Sequence, residues 1–372
     1  MRLTLLSPRA PSPKGNVLLR LRSARPVART ALVLSVAATM LAGCGSSSDD
    51  AASVTPQTST EPSASVAAVA YPLTIEHALG TTTIESEPKR VATVNWANQE
   101  VPLALGVVPV GMAAANFGDD DTDGLLPWVK DKLDELGGET PVLFDETDGI
   151  DFEAVADTKP DVILAAYSGL TQEDYDTLSE IAPTVAYPEV AWGTDWKDMI
   201  RLNSQAMGKS PQGEQLVASL EQEISDVAAT SPQIAGKRTM FLTHVDTTDL
   251  SEVSYYTTHD TRAKFFTDLG LGTPKSIEKA STKTDQFSGT ISAEQVDAFD
   301  DVDILVTYGD EKLVKTLQAD PLLSKMPAVA NDAIVLLPST PLGTAANPTP
   351  LAISWVLEDY VKMLAEAADK SA

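Results

Sequence analysis

A 17-residue stretch, DFEAVADTKPDVILAAY at residues 151–167, recurs in divergent form 141 positions later as SAEQVDAFDDVDILVTY at residues 292–308. The two copies align without a gap and share five identical positions. Each copy has the pattern of a short helix, a turn, and a run of apolar or β-branched residues, at 162–166 and 304–307. Such continuous runs are typical of parallel strands that are covered on both faces. The repeat therefore predicts two related α/β lobes.

The flanking sequence extends both copies into alternating strands and helices, which predicts mainly parallel sheets. A hairpin is expected first, from residues 73–76 and 82–85, with Gly80 at its turn. The first lobe is predicted to have strands at 91–95, 108–112, 162–166 and 184–187, and helices at 99–105, 125–136 and 172–181. The second is predicted to have strands at 238–244, 253–257, 304–307 and 333–337, and helices at 261–269, 293–299 and 351–368.

A longer helical segment separates the two series. Ser210 can cap this helix, Pro211 suits its first turn, and Gly236 marks its end. Apolar residues between Leu216 and Val227 recur at helical spacing and form one face. The predicted organisation is thus an N-terminal lobe at 71–209, a linking helix at 210–236 and a C-terminal lobe at 237–372.

The chain has one cysteine, Cys44, which follows a basic and then an apolar segment. Residues 1–43 contain seven basic and no acidic residues. The apolar run 31–41 has the length of a signal-peptide core and is too short to span a bilayer. The sequence LAGC at 41–44 resembles the lipobox of bacterial lipoproteins, which implies cleavage before Cys44 and a lipid on its sulfur. We expect a signal peptide at 1–43 and a lipid-anchored protein on the extracytoplasmic face of the cell membrane.

Two compositional features follow from that division. Residues 44–70 are small and polar, cannot bury enough apolar surface to fold, and are predicted to form a flexible tether. Without the leader the chain carries 20 basic and 53 acidic residues, a net charge of −33. Such a surface repels nucleic acid and anionic lipid headgroups, so a nucleic-acid function is excluded.

Short motifs follow one another along residues 71–370. They are RVATV at 90–94, LGVVPVG at 105–111, PWV at 127–129, FE and KPDVI within 152–163, IAPTV at 181–185, ISAEQ at 291–295, and PL and MPAV within 321–329. In this order they resemble the iron-siderophore ABC-transporter substrate-binding lipoproteins, of the ferrichrome- and vitamin B12-binding type. The resemblance implies two Rossmann-like lobes joined by a single long helix, with a ligand cleft between them. It also implies that a ferric siderophore is the cargo, that an ABC permease dimer is the partner, and that the protein is a monomer without enzymatic activity.

In open α/β sheets, ligands bind beyond the carboxyl ends of the strands, and this rule nominates cleft residues. Aromatic rings can pack on a bulky iron chelate, and tyrosine hydroxyls can donate to its oxygens. The alternative is that these rings only form the edge of the core. The first-lobe candidates are Trp96, Phe117, Tyr167 and Tyr187, with Trp192 and Trp196 in the loop after Tyr187. The second-lobe candidates are His244, Tyr255, Tyr256, Arg262 and Tyr308.

Three charged residues have more specific expected roles. The guanidinium of Arg262 suits an oxygen-rich chelate, unless it is simply a solvated helix-surface arginine. By the resemblance, Glu153 and Glu294, one in each copy of the repeat, dock onto arginines of the permease dimer. The alternative for both is that an acid in the first turn complements the helix dipole.

The sequence gives less support to a bare-metal-binding protein or to an enzyme. A bare Zn or Mn site would need three or four His, Asp or Glu ligands that converge from both lobes. The chain has three histidines, and His77 falls in the predicted hairpin, away from the strand ends. His244 with Asp246 and His259 with Asp260 could form only a weak site within one lobe. Nucleophile-elbow, metalloprotease and phosphate-loop motifs are absent from the sequence. We expect no resident cofactor and no protein-held metal, with iron bound only as a siderophore chelate; cobalamin and haem remain alternative cargoes. The scarcity of cations among the candidates favours a ferric hydroxamate or mixed-ligand chelate over a tris-catecholate.

Overall fold

The structure, a computed structural model, describes residues 69–371. The predicted signal peptide, Cys44 and nearly all of the predicted tether lie outside the described residues. The described residues belong to one compact unit. Across 69–371, the longest apolar helices still fall short of what a bilayer crossing requires.

The first lobe is built on a five-stranded parallel sheet in the order β5-β4-β3-β6-β7. A separate antiparallel hairpin precedes it, in which His77 pairs with Gly80, so the turn is Ala78-Leu79 and Gly80 begins the second strand. The strands are β1 Leu73–His77, β2 Gly80–Ile84, β3 Val91–Thr93, β4 Gly111–Ala113, β5 Val142–Phe144, β6 Val162–Leu164 and β7 Thr184–Val185. The helices are α1 Glu100–Ala104, α2 Pro127–Leu136, α3 Phe152–Asp157 and α4 Gln172–Ile181.

Local sequence explains where several of these helices begin and end. Thr171 and Asp174 form a capping box that starts α4 at the predicted residue. Pro127 occupies the first turn of α2, and Gly137 ends that helix with a left-handed φ of 63°. Strand β5 was not predicted, because its apolar run, Val-Leu-Phe, has only three residues and is too short to indicate a strand.

Two helices carry the chain from the first sheet to the second. They are α5 Trp196–Ala206, which was not predicted, and α6 Ser210–Ala229. The inner face of α6 buries Leu220 and Ile224 of the predicted apolar face, together with Val217. Leu216 and Val227, which were predicted on the same face, are only partly buried. The helix is shorter than the predicted 210–236, because a separate 3-10 turn at Pro232–Ile234 follows it. Proline lacks the backbone N–H that a continuing helix would need.

The second lobe contains a parallel sheet in the order β12-β11-β8 and an antiparallel pair, β10-β9. A bridge between Leu242 and Tyr255 connects the two. The strands are β8 Thr239–Phe241, β9 Glu252–Tyr256, β10 Ser288–Ser292, β11 Ile304–Tyr308 and β12 Ile334–Leu337. The helices are α7 Thr261–Asp268, α8 Lys275–Ser281, α9 Glu311–Ala319, α10 Pro327–Ala330, α11 Pro341–Ala345 and α12 Ala352–Ala368.

The repeat occupies equivalent places in the two lobes. Strands β6 and β11 each pair in parallel with a neighbour on either side, and every residue of both is buried. The preceding helical segments differ: α3 is an α-helix, whereas Ala293–Phe299 is 3-10 and kinks at Gln295. The two-lobe α/β fold predicted from the repeat is confirmed.

A continuous hydrophobic core runs through both lobes and includes buried residues of α5, α6 and α12. A buried carboxylate reinforces this connection. Glu100 in α1 accepts from Trp128 Nε1 (2.7 Å) and from the backbone N–H of Leu351 (2.8 Å), which precedes α12. Burial raises the pKa of Glu100, although these hydrogen bonds oppose the rise. The first lobe is thereby tied to the last helix of the chain.

Candidate functional site

A cavity of about 230 Å³ lies where strands of both lobes end. Trp96 follows β3, Asn116 and Phe117 follow β4, His244 follows β8, and Tyr308 is the last residue of β11. We call this cavity the cleft; it is lined by Trp96, Asn116, Phe117, His244, Arg262, Tyr308, Thr344 and Asn347. Both lobes therefore contribute to one site.

Three aromatic rings form one wall of the cleft. The imidazole of His244 stacks on Tyr308, with ring centroids 4.7 Å apart and planes 22° apart. Phe117 meets both rings edge-on, at 6.0 Å from His244 and 6.2 Å from Tyr308. These are the arrangements that aromatic quadrupoles favour. A first-lobe loop thus packs against two strand ends of the second lobe.

Arg262 lies in the first turn of α7 and is held by its neighbours. Its Nε and Nη2 donate to the two carboxylate oxygens of Asp260 at 2.8 and 2.7 Å. Its guanidinium carbon lies 3.7 Å from the centroid of the Tyr256 ring. The arginine side chain is 15 % exposed and the Asp260 side chain is fully buried. Two of the five guanidinium N–H groups are committed to Asp260, so three are left for other acceptors.

The protonation of the site follows from its environment. Burial raises the pKa of Tyr167 to about 12, and it also raises the pKa of Tyr308, against the opposing charge of Arg262. Both phenols therefore remain hydrogen-bond donors at neutral pH. Partial desolvation, helped by the charge of Arg262, lowers the pKa of His244. Arg262 is the only charged side chain among the described residues that line the cleft.

A second layer of residues supports the cleft from behind. Tyr256 lies beneath Arg262, and Tyr167 packs edge-to-face against Trp192, with ring centroids 5.5 Å apart. Tyr167 exchanges backbone hydrogen bonds with the side chain of Asn98, at 2.8 and 3.0 Å. Asn98 also donates to Val94 at 2.9 Å, so it joins the loop after β3 to the end of β6. These aromatic residues are placed to support the cleft lining, not to form it.

Three predicted cleft residues lie elsewhere. Trp196 is 1 % exposed, begins α5 rather than lying in a loop, and donates its indole N–H to Asp268 at 2.9 Å. Tyr187 packs in a separate first-lobe core and donates to the Leu170 carbonyl. Tyr255 packs on Phe299, because successive residues of β9 point to opposite faces and only Tyr256 faces Arg262. None of these three side chains lines the cleft, so the structure gives no support to their predicted ligand contact.

Sequence reasoning also missed three residues that line the cleft, Asn116, Thr344 and Asn347. Asn116 precedes the predicted Phe117 and could have been included with it. Thr344 and Asn347 lie in and just after α11, the helix that follows β12. The strand-end rule, applied to β12 as well, would have pointed to this segment.

The bare-metal alternative gains no support from the histidines. His77 is buried in the opening hairpin and bonds Thr82 Oγ1 at 3.0 Å. His259 bonds the Ser281 carbonyl at 3.2 Å. Over residues 69–371, the one group of three converging candidate ligands contains aspartates alone, and Lys130 forms ion pairs with two of them. His244 belongs to no such cluster.

Glu153 and Glu294 are both exposed and lie at the beginning of their helical segments. Their own segments are capped by other side chains. Asp151 Oδ1 accepts from the backbone N–H of Ala154 at 3.0 Å, and Ser292 Oγ accepts from that of Glu294 at 3.3 Å. Both carboxylates are therefore free to meet a partner, and their docking role stays a prediction.

The family model described as periplasmic binding protein matches residues 91–341, about two thirds of the chain. The chain belongs to the periplasmic binding protein family. The binding protein is similar to the crystal structure of PiaA from Streptococcus pneumoniae TIGR4 in complex with ferrichrome, with 43 % identity and a TM-score of 0.78. That similarity covers 80 % of this chain and 99 % of PiaA.

Two further relatives agree with this assignment. The probable siderophore-binding lipoprotein YfiY of Bacillus subtilis (strain 168) is 29 % identical over 238 residues, which are 63 % of this chain and 67 % of YfiY. A periplasmic solute binding protein from Mycobacterium smegmatis is 28 % identical with a TM-score of 0.65, covering 80 % of this chain and 99 % of the other. The family predicted from the motifs is confirmed. Members of this family are non-enzymatic components of transporters, so the non-enzymatic class is confirmed as well.

Proposed function

We propose that this binding protein captures a ferric siderophore outside the cytoplasm and delivers it to an ABC permease for iron uptake. The observation that carries the proposal is the cleft itself. Its lining combines an arginine with free N–H donors, three aromatic residues at strand ends (Trp96, His244 and Tyr308) and Phe117 from a loop, and both lobes contribute. Of the two solved structures described above, PiaA is the more similar in sequence, and it holds ferrichrome.

The charge of the cleft supports a hydroxamate over a catecholate chelate. Arg262 supplies one positive charge, and Asp260 behind it offsets that charge within the buried pair. A tris-catecholate complex of ferric iron carries about three negative charges, and burying these without partners is costly. A neutral trihydroxamate needs only hydrogen-bond donors for its oxygens, which Arg262 and Tyr308 provide.

The size of the cleft indicates how the chelate is held. Its 230 Å³ is below the ~300–1,000 Å³ of pockets that enclose a whole drug-sized ligand. A siderophore complex would therefore place one face in the cleft, against Arg262 and the rings, and leave the opposite face in solvent.

Quenching of tryptophan fluorescence tests the cargo assignment, because Trp96 lines the cleft. The mature protein would be titrated with a ferric trihydroxamate, a ferric tris-catecholate, ferric citrate, haem and cobalamin. We expect saturable quenching by the trihydroxamate at the lowest concentration. Trp96→Phe should reduce the quenching signal, and calorimetry on the same variant should still detect binding. Tighter binding of haem or cobalamin than of every siderophore would contradict the proposal.

We further propose that Cys44 carries a lipid anchor and that the protein acts as a monomer without a resident cofactor. The name of the relative YfiY, a probable siderophore-binding lipoprotein, supports the anchoring. Cys44→Ser should release the protein from membranes into the soluble fraction. Metal analysis of protein purified without chelators should find no stoichiometric iron, zinc or manganese, and light scattering should give the monomer mass.

The permease-docking role of Glu153 and Glu294 has a matched test. Glu153→Lys with Glu294→Lys should abolish siderophore-dependent iron uptake and leave cargo affinity unchanged, because both residues lie outside the cleft lining. Glu173 and Glu311 serve as controls, since each is an exposed acid in the first turn of another helix, one in each lobe. Uptake that survives the first pair of changes, or that is lost equally with the control pair, would contradict the docking role.

A further inference from the structure

A second cavity, of about 240 Å³, lies in the C-terminal lobe beside the cleft. His244 lines both cavities, so it forms the boundary between them. The floor consists of buried apolar side chains from β11, α9 and the segment that precedes α10, among them Leu305, Leu317 and Met326. Apart from His244, the two cavities have no described lining residue in common.

The rim of the cavity is acidic. Asp246, Asp249 and Glu252 line it, and all three are exposed on the segment that connects β8 with β9 and begins β9. The Asp246 carboxylate accepts from Thr248 N and Oγ1 at 2.8 and 2.7 Å, and that of Asp249 accepts from Ser251 N at 3.0 Å. These hydrogen bonds lower the pKa of both aspartates, so they are ionised at neutral pH.

The two cavities have opposite charge. The described lining of the second cavity includes three carboxylates and neither lysine nor arginine. The described lining of the cleft includes Arg262 and no carboxylate. A ligand that occupies both would place electron-rich oxygens at the cleft, and a positive charge at the rim beyond His244.

The second cavity is too small for another chelate. At about 240 Å³ it is below the ~300–1,000 Å³ typical of pockets for whole drug-sized ligands. Its buried floor favours methylene groups, and its rim favours a cation. A flexible aliphatic arm with a terminal ammonium satisfies both conditions.

We propose that this acid-rimmed cavity is a subsite for an alkylammonium arm of a ferric hydroxamate whose iron centre lies in the cleft. The methylenes pack on the apolar floor, and the ammonium meets the carboxylates of Asp246, Asp249 and Glu252. The inference rests on the proposed function, because the arm reaches the subsite only when the chelate occupies the cleft. It makes the protein selective among hydroxamates for those with a cationic aliphatic arm.

Three ferric trihydroxamates separate the contribution of the ammonium group to binding from that of the aliphatic arm. The first is linear with a pentylammonium arm, the second is the same molecule with its amine acetylated, and the third is cyclic without an arm. Calorimetric titration of the mature protein should give the amine form about a fivefold lower Kd than the acetylated form, the range of exposed charge pairs. Raising the salt concentration should shrink that ratio, because exposed charges are screened.

Two sets of variants test the location. Asp246→Asn with Asp249→Asn removes two rim charges and keeps side chains that can form the same turns. This pair of changes leaves Glu252 as the one rim carboxylate in the described lining, so it should reduce the preference for the amine form and leave the Kd of the cyclic chelate unchanged. Asp285→Asn with Asp297→Asn, exposed residues of the same lobe outside the cavity lining, should leave the preference intact.

A filling variant tests the floor. Leu317→Phe reduces the cavity and should weaken binding of both armed chelates, but not of the cyclic one, which also verifies that the variant is folded. Equal affinity for the amine and acetylated forms, with all three chelates bound, would overturn the subsite and leave the proposed function standing. Failure of all three chelates to bind would overturn the proposed function as well.

Discussion

The substitution Arg262→Lys tests the cleft most directly, because it keeps the positive charge and changes only the geometry of the donors. The guanidinium commits two N–H groups to the buried carboxylate of Asp260, at 2.8 and 2.7 Å, and lies over Tyr256. It retains three N–H groups for a ligand. The lysine ammonium has three donors on one nitrogen and cannot act as a two-sided fork. It will remain with Asp260, whose buried charge would otherwise be unpaired.

The size of the effect follows from that difference. The variant should lose one charge-assisted hydrogen bond to the chelate, which contributes about 1.5–3 kcal/mol. The Kd for a ferric trihydroxamate should therefore rise about 10- to 150-fold. The free energy of unfolding should change less, because Asp260 keeps a cationic partner.

Arg238 provides a matched control in the same lobe. Its Nε and Nη2 donate to the two oxygens of Asp303 at 2.9 and 2.7 Å, the same arrangement as in the Arg262 pair. Arg238 is outside the cleft lining and its side chain is 40 % exposed. Arg238→Lys should leave the Kd unchanged and lower stability by less than about 1 kcal/mol. A Kd for Arg262→Lys within threefold of the wild type, measured by fluorescence and calorimetry on folded protein, would refute the assignment of Arg262 to the ligand.

Three further substitutions address the scaffold. Glu100→Gln places an amide against backbone and indole N–H donors, so it should lower the free energy of unfolding in urea by about 1–3 kcal/mol. The control is Glu223→Gln, which should change this free energy little, because Glu223 accepts from Ser354 of α12 in an exposed hydrogen bond. Because burial raises the pKa of Glu100, the stability of the wild type falls as pH rises through that pKa. The stability lost in the glutamine variant should therefore be larger in acidic than in neutral buffer. An equal loss at both pH values would argue against the raised pKa. Asn98→Ala removes hydrogen bonds from buried backbone groups and should lower the thermal midpoint and weaken cargo binding together; unchanged binding would show that the loop after β3 is positioned without it. Gly118 has a φ of +78°, and Gly118→Ala adds a Cβ that overlaps Thr344 of the cleft. The variant should raise the Kd for the cargo at least several-fold. An unchanged Kd would mean that the loop after β4 can shift freely.

Much of the fold was predictable because its signals are local. The apolar runs of the repeat identified β6 and β11, and the helical pattern at 172–181 has the same bounds as α4. Predicted strands were mostly too long: in the first sheet each pairing of neighbouring strands covers only one to three residues, although the apolar run continues beyond it. Helix α5 was missed, and with it the burial of Trp196, because its apolar face was read as an aromatic loop.

The candidate site was predictable only in part, for a related reason. The strand-end rule nominated Trp96, Phe117, His244, Arg262 and Tyr308, and all five line the cleft in the structure. That they contact a ligand stays a prediction. It could not separate residues that face the cleft from those that face the core, so it also nominated Tyr187 and Tyr255, which pack in the core. The two aromatic neighbours in β9 differ only in the face of the sheet to which they point, and the register of β9 against β8 and β10 decides that.

The sequence by itself determined the two α/β lobes, the family and most residue types of the cleft, because these depend on local periodicity and on motifs along the chain. Only the tertiary structure decided that α11 completes the cleft, that Glu100 ties α1 to α12, and that an acid-rimmed cavity lies beyond His244. Each of these joins segments far apart in sequence. Their meeting depends on how helices and sheets pack, a property that no single segment encodes.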